Sequence, residues 1–268
     1  MSGNAIVIDN ITKTFGGTRR LFGGRTHAVH AVRGVSIKVA EGETLAVVGE
    51  SGSGKSTLAR MLVGLERPTS GHMAIDGRDA AELAGTGPRA FGRMIQYVFQ
   101  DPVASLNPRK TVEQILDVPL RLLAGHGGPD RKRRMHQLLD AVQMPKDTLE
   151  RYPHEFSGGQ AQRIAIARAL AASARILVLD EPVSALDVSV QAQVLILLED
   201  LKAEFALSYL FISHDLAVVE SISDRVAVMY QGQVVETGPS ERLFASPQHE
   251  YTKTLLMSAP RLDHARAG

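Results

Sequence analysis

The segment that most constrains this chain runs from Gly49 to Ser56. Its residues, Gly-Glu-Ser-Gly-Ser-Gly-Lys-Ser, match the spacing G-x-x-x-x-G-K-S. An apolar run from Leu45 to Val48 precedes the segment, and a helical pattern begins at Thr57. A strand that turns through glycines into a helix directs several backbone N–H groups and the positive end of the helix dipole at one point. The segment therefore predicts a strand, a loop and a helix that together bind phosphate.

Two side chains of this loop have predicted roles at a nucleotide. Lys55 would reach the terminal phosphates, and the Ser56 hydroxyl would ligate Mg²⁺. A glycine-rich turn without a ligand is the alternative, but it would leave the lysine beside inward N–H groups with no counter-charge. The residues expected to surround the nucleotide are Gly49, Glu50, Ser51, Gly52, Ser53, Gly54, Lys55, Ser56 and Thr57.

An acidic pair is expected at the end of another strand. Residues Ile176 to Leu179 are apolar, and Asp180 and Glu181 follow them directly. Asp180 is placed to hold Mg²⁺ through water, and Glu181 to polarise the water that attacks the γ-phosphate. Because an Asp-Glu pair is also common in turns, this prediction depends on the phosphate loop.

A second glycine-containing helix start lies at residues 156–160. The sequence Phe-Ser157-Gly158-Gly159-Gln160 precedes an alanine-rich helical pattern. Ser157 is expected to cap that helix, and the glycine N–H groups to form another anion site. One nucleotide does not need two such sites on one subunit. The sequence therefore predicts a head-to-tail pair, in which each second site faces the nucleotide of the other subunit.

Short β-branched runs alternate with longer segments whose apolar residues lie three or four apart. This is typical of an α/β protein with a mostly parallel sheet, and the closely spaced early strands predict an antiparallel β portion at the N-terminal end. The predicted strands are Ala5 to Ile11, Val35 to Ala40, Thr44 to Gly49, Met94 to Phe99, Ile176 to Asp180, Tyr209 to Ser213 and Val226 to Tyr230. The predicted helices include Ser56 to Leu65, Gly159 to Ala172 and Ser189 to Phe205.

Domain boundaries are expected where these patterns change. Residues 101–155 have helical periodicity without a strand and predict a helical subdomain inserted in an α/β domain of residues 1–240. Residues 241–268 predict a tail with two short helices. The densest basic run is Arg131 to Arg134, which we interpret as a solvated helix face capped by Asp130, with a nucleic-acid contact as the alternative.

The composition excludes several classes of function and of binding site. The 268 residues include 30 Lys and Arg against 29 Asp and Glu, so no global field attracts nucleic acid. The absence of cysteine excludes disulfides, thiolate metal sites and cysteine nucleophiles. The sequence has no secretory signal pattern and no apolar stretch of membrane-spanning length, which predicts a soluble chain that can still dock on a membrane protein.

The order of these motifs resembles that of the ATP-binding subunits of ABC transporters, whose core is a P-loop NTPase fold. The resemblance implies an ATPase with ATP and Mg²⁺ as cofactors. Gln100 would then sense Mg²⁺ and the membrane partner, and His214 would contact the γ-phosphate. Asp187 would bridge the dimer. The residues implied to bind the opposite subunit's ATP are Ser157, Gly158, Gly159 and Gln160.

Longer stretches look like the dipeptide, oligopeptide and nickel importer group: Phe99 to Thr111, Asp180 to Gln193 and Pro247 to Leu256. This implies a second ATPase subunit, two membrane permeases, an extracytoplasmic substrate-binding protein, and a place on the cytoplasmic face of the cell membrane. The tail departs from its relatives, because Glu250 stands where Pro is usual and the cysteine cluster of some relatives is absent.

Peptide import is the leading hypothesis, with a nickel or metal-chelate importer as the alternative. A soluble ABC ATPase that acts on nucleic acid or ribosomes is a more distant one. A regulatory subunit that binds nucleotide without hydrolysis would typically lose Glu181 or His214, and both are present. For stacking on adenine, Phe15 matches the family position best, with Phe22 as its rival.

Overall fold

The computed structural model describes residues 3–16 and 28–258. The strands are β1 (Asn4–Phe15), β2 (Val29–Ala40), β3 (Thr44–Val48), β4 (Ser70–Ile75), β5 (Arg78–Asp79), β6 (Ile95–Val98), β7 (Ile176–Asp180), β8 (Ser208–Ile212), β9 (Arg225–Tyr230) and β10 (Gln233–Pro239). The α-helices are α1 (Lys55–Leu62), α2 (Ala80–Gly85), α3 (Pro88–Met94), α4 (Pro102–Ser105), α5 (Val112–Leu122), α6 (Gly128–Ala141), α7 (Gly158–Leu170), α8 (Val188–Phe205), α9 (Leu216–Ile222), α10 (Ser240–Ala245) and α11 (Glu250–Ser258). Two 3₁₀ turns are η1 (Lys146–Glu150) and η2 (Pro153–Glu155).

Two sheets organise the chain. A 4-stranded antiparallel sheet has the order β2-β1-β4-β5, and a 6-stranded sheet has the order β10-β9-β3-β8-β7-β6. In the larger sheet every neighbouring pair is parallel except β10 with β9. The carboxyl ends of β3, β6, β7 and β8 therefore meet at one edge, where ligands bind in parallel α/β sheets.

The larger sheet is buried on both faces. Successive side chains of a strand point to opposite sides, so each strand contributes to two separate core clusters. In β3, Ala46 and Val48 belong to a core cluster that includes α5 to α9, whereas Leu45 and Val47 belong to a second cluster with α1 and the antiparallel sheet. All four residues are buried. This double burial explains why β3 is an uninterrupted apolar run in the sequence.

The structure confirms the α/β class, the parallel sheet, the N-terminal antiparallel portion and every predicted strand. Helices and 3₁₀ turns fill the stretch from α4 to η2, and the tail contains α10 and α11. The domain boundaries at 101–155 and 240 stay predictions. None of the helices in the described residues is long and apolar enough to cross a membrane.

The predicted cap of α6 is wrong. Gly127 is the N-cap residue, and Asp130 lies in the first turn, where its carboxylate accepts a hydrogen bond from Arg133 at 2.7 Å. Arg131 is half-buried and donates to Asp117 of α5 at 2.6 Å. The basic run therefore joins two helices at Arg131 instead of forming a wholly solvated face.

Candidate functional site

Four strand ends bring the predicted residues to the same edge of the larger sheet. The loop after β3 leads into α1, and β7 ends on Asp180 with Glu181 next. Gln100 follows β6 by two residues, and His214 follows β8 by two. The parallel pairing of β3, β8, β7 and β6 is what makes residues distant in the sequence neighbours here.

Two loop glycines are required by close backbone approaches. Gly49 has φ 145°, and a Cβ there would lie 2.1 Å from the carbonyl oxygen of Met229. Gly54, the N-cap of α1, has φ 105°, and a Cβ there would lie 2.3 Å from the carbonyl oxygen of Ala31. Any other residue at either position would clash with backbone and be strained, so the loop can take this path only with glycine.

Lys55 is buried at the centre of this loop. Its ammonium donates to the carbonyl oxygens of Gly49 at 2.7 Å and Glu50 at 2.9 Å. Burial lowers the pKa of Lys55, and the nearby carboxylates of Glu181, Asp180 and Glu50 offset that effect only in part. The lysine is therefore held by the loop itself. It would pair with an anionic ligand, and a cation bound with that ligand would offset the nearby carboxylates.

Ser56, Asp180 and Gln100 are the side chains predicted to hold Mg²⁺, and the first two contact each other. The Ser56 hydroxyl donates to Oδ1 of Asp180 at 3.2 Å. The other carboxylate oxygen of Asp180 accepts a hydrogen bond from the Tyr97 hydroxyl at 2.5 Å. Burial, together with this hydrogen bond, raises the pKa of Tyr97, so the hydroxyl keeps its proton and orients Asp180.

Three predicted catalytic side chains form one cluster. Glu181 accepts a hydrogen bond from the Gln100 amide at 2.8 Å, and its other oxygen lies 3.0 Å from Nδ1 of His214. Glu181 has φ 49°, a conformation in which its N–H donates to the Ile212 carbonyl at 2.9 Å. A non-glycine residue in this region is strained, so the surrounding contacts fix the direction of the carboxylate.

The cluster and the loop open into one cleft of about 920 Å³. Of the predicted site residues, those that line it are Ser51, Gly52, Gly54, Lys55, Ser56, Thr57, Gln100, Glu181 and His214. Val29 and His30 of β2 also line it. The cleft has the size of a small-ligand site, and a few charged and polar side chains converge on it.

Phe15 does not line this cleft. Its side chain is 38% exposed, and the ammonium of Lys13 lies 4.7 Å from the centre of its ring. The rival, Phe22, lies outside the described residues. Stacking on adenine therefore stays a prediction for Phe15.

The second glycine-containing segment also lies outside this cleft. Ser157 is the N-cap of α7, and its hydroxyl accepts from the Gln160 N–H while the Gln160 side chain accepts from the Ser157 N–H at 3.0 Å. Ser157, Gly158 and Gln160 are exposed, and Gly159 is buried against Val190. Asp187 caps α8, where hydrogen bonds from the Val190 N–H and the Ser189 hydroxyl lower its pKa.

Sequence reasoning missed Tyr97 and the β2 residues Val29 and His30. One signal was available for Tyr97, because a phenol in a strand that is mostly buried needs a hydrogen-bond partner for its hydroxyl. No local signal marks Val29 or His30, since β2 reaches the cleft through tertiary packing.

The donor set fits a magnesium ion that arrives with a nucleotide. Among the residues described, no group of three or more His, Cys, Asp or Glu side chains is arranged to bind a metal alone. Ser56 and Asp180 would supply two oxygen ligands beside the loop. Mg²⁺ is usually bound by one or two protein oxygens, water and substrate phosphates.

Comparison with known proteins agrees with the geometry. The sequence model of the ABC transporter family matches residues 32–184, and that of the oligopeptide/dipeptide transporter C-terminal region matches residues 235–267. The oligopeptide transport ATP-binding protein OppF of Lactococcus lactis is 47% identical over 241 residues, which are 90% of this chain and 76% of OppF. The dipeptide transport ATP-binding protein DppF of Haemophilus influenzae is 50% identical over 234 residues, 87% of this chain and 72% of DppF.

A solved structure is also similar. It is the dimeric post-hydrolysis state of the ATP-binding cassette MJ0796 bound to ADP and Pi, which superimposes with a TM-score of 0.75 at 28% identity. The match covers 88% of this chain and 98% of that one.

Proposed function

Because this chain belongs to the ABC transporter family of ATP-binding proteins, we propose that it hydrolyses ATP to energise a peptide importer. The observation that carries the proposal is the single cleft in which Lys55 of the phosphate loop and Glu181 of the carboxylate cluster face one another. A lysine that binds the phosphates and a carboxylate that activates water are two of the groups that catalyse hydrolysis of a bound nucleotide.

Each group in the cleft has a role in this proposal. The N–H groups of the loop and Lys55 bind the phosphates, and Glu181 accepts the proton of the attacking water. Gln100 and His214 contact the Glu181 carboxylate and hold it in place, and with ATP bound His214 would contact the γ-phosphate. Ser56, Asp180 and Gln100 would hold Mg²⁺, which when bound would neutralise developing charge on the phosphates.

The partner subunit in this proposal is a second ABC ATPase, identical or related. The exposed Ser157, Gly158 and Gln160 bind the ATP held by that partner, and Asp187 contacts the partner across the interface. The dimeric state of the similar cassette supports a pair. The exposure of the α7 N-terminus, outside the cleft of its own chain, supports the head-to-tail arrangement.

Two permease subunits and an extracytoplasmic binding protein complete the proposed complex, which places this chain on the cytoplasmic face of the cell membrane. The match of the tail to the oligopeptide/dipeptide transporter region supports a transporter over an ATPase that acts on nucleic acid or ribosomes. The names of OppF and DppF favour peptide over nickel or a metal chelate as the cargo.

The test has two arms. Purified full-length protein should hydrolyse ATP in a Mg²⁺-dependent manner, and Glu181→Gln should abolish that activity. The complete complex, reconstituted in vesicles with the permeases and the binding protein, should hydrolyse ATP faster when the binding protein carries a peptide. If Ni²⁺ and not peptide on the binding protein stimulated ATP hydrolysis, the proposed cargo would be wrong, and the proposed ATPase activity would still hold.

A further inference from the structure

The last described helix, α11, contacts the phosphate loop from outside the cleft. The backbone N–H of Glu50 donates to the Tyr251 hydroxyl at 3.1 Å, across 201 residues of sequence. Glu50 is exposed and does not line the cleft, so its N–H faces the tail and not the phosphates. Glu50 was predicted to surround the nucleotide, and this contact gives its backbone a different partner.

Several contacts fix Tyr251 independently of Glu50. Its ring lies 4.1 Å from the ring of Tyr230 between centroids, and Leu255 and Leu256 of the same helix pack on the larger core cluster. Glu236 of β10 accepts the N–H groups of Gln248 and His249, both at 2.9 Å, just before α11 begins. Partial burial raises the pKa of the Tyr251 hydroxyl, so it is neutral at pH 7. Tyr251 is therefore a rigid, uncharged acceptor.

Glu50 is the point of the loop that is held from both sides. Lys55 donates to the Glu50 carbonyl at 2.9 Å from within the loop, and Tyr251 accepts the Glu50 N–H from the tail. The three donors of the Lys55 ammonium are directed at the loop, the third at the Ser53 hydroxyl at 3.5 Å, so Lys55 must turn donors toward the phosphates when ATP binds. The outer contact does not involve Lys55, so that change does not itself break it.

We propose that Tyr251 is a positioning residue for ATP binding, through which the tail helix fixes the start of the phosphate loop. The inference rests on the proposed function, since it takes this loop to hold the phosphates of ATP. A loop already fixed before binding loses less conformational freedom when the nucleotide arrives. The tail would thereby raise ATP affinity without touching the nucleotide.

The test compares two conservative variants of the full chain. Tyr251→Phe keeps the stacked ring and removes the hydroxyl that accepts the Glu50 N–H. Tyr230→Phe removes the other hydroxyl of the same pair, which accepts a hydrogen bond from the Gln231 amide at 3.1 Å and not from the loop. Each protein is measured for its KM for ATP, its kcat, its melting temperature and the hydrogen exchange of the loop amides.

The proposal predicts a KM for ATP raised about 3- to 10-fold in Tyr251→Phe, with kcat within about twofold of wild type, the scale of one hydrogen bond. The Glu50 amide should exchange faster in this variant. Tyr230→Phe should match wild type in both respects, and both variants should melt within a few degrees of it.

Three results would overturn the inference: an unchanged KM in Tyr251→Phe, equal losses in both variants, or an unchanged exchange rate at Glu50. Failure of the wild-type protein to bind or hydrolyse ATP would instead refute the proposed function. The two failures are distinguishable because only the second removes activity from the unmodified chain.

Discussion

The N-termini of α1 and α7 are both glycine-containing helix starts, yet their surroundings differ. At α1, Lys55 is buried, and the loop lines a cleft together with Gln100, Glu181 and His214. At α7, Ser157 and Gly158 are exposed, and neither lines that cleft. The first start has the side chains proposed for catalysis within the same chain. The second has only its own capping bonds, so its anion site becomes useful when another surface covers it.

This difference predicts that hydrolysis depends on residues of one chain around α1. Glu181→Gln should lower kcat by about 10²- to 10⁴-fold, because the amide keeps the shape of the side chain but cannot accept the proton. ATP affinity should change little. Lys55→Ala should weaken ATP binding itself, because the loop loses its cation. Equilibrium ATP binding and turnover are measured separately for the two variants. Turnover near that of wild type in Glu181→Gln would show that Glu181 is not the general base.

Substitutions at α7 should affect the pair of subunits and not the monomer. Gly158→Asp places a carboxylate where the partner's phosphates are expected and should weaken ATP-induced dimerisation by about 10²-fold through like-charge repulsion. Gly158→Ala is the matched control: it adds a Cβ that meets only Leu186, at 3.2 Å, without a charge. Size-exclusion chromatography in the Glu181→Gln background measures both. Dimers that persist in the aspartate variant would contradict the head-to-tail arrangement.

The site at the N-terminus of α1 also depends on Tyr97, a residue that belongs to none of the sequence motifs and donates a hydrogen bond to Asp180. Tyr97→Phe removes the donor to Asp180 and should raise the Mg²⁺ concentration needed for half-maximal activity by about tenfold, on the scale of a hydrogen bond to a charged group. Tyr209→Phe controls for loss of a buried hydroxyl, since Tyr209 donates to the Leu198 carbonyl at 2.8 Å away from the site. Equal Mg²⁺ dependence in the two variants would show that Tyr97 serves packing alone.

Much of this fold was predictable because its central elements are locally encoded. The strands β3, β7 and β8 are short apolar runs, and α7 and α8 are long enough to show a period. By contrast, β4 begins with three exposed residues and β10 has no fully buried one, so neither carries the buried pattern of a strand. The short helices α2 and α3 contain glycine or begin with proline, and packing on their neighbours decides their state.

The site divides in the same way. Residues within a contiguous motif, such as Lys55 and Ser56, follow from spacing because the loop fixes their relation. The pairs Tyr97 with Asp180 and Glu50 with Tyr251 join residues 83 and 201 positions apart. Only the strand order and the docking of the tail bring such pairs together, and local sequence patterns reveal neither.

The smallest expected effect concerns the Ser157 hydroxyl, which caps α7 and is also proposed to contact the partner's nucleotide. Ser157 and Thr111 cap α7 and α5 with the same reciprocal arrangement, in which each side chain accepts from a backbone N–H three residues on. Replacing either by Ala should lower the free energy of unfolding by about 1 kcal/mol, because one N–H of the helix start loses its acceptor. Denaturant unfolding measures this loss. Only Ser157→Ala should also weaken ATP-induced dimerisation, because only the α7 N-terminus faces the partner's phosphates in the proposed pair. Equal dimerisation of the two variants would mean that the Ser157 hydroxyl serves the helix and not the partner's nucleotide.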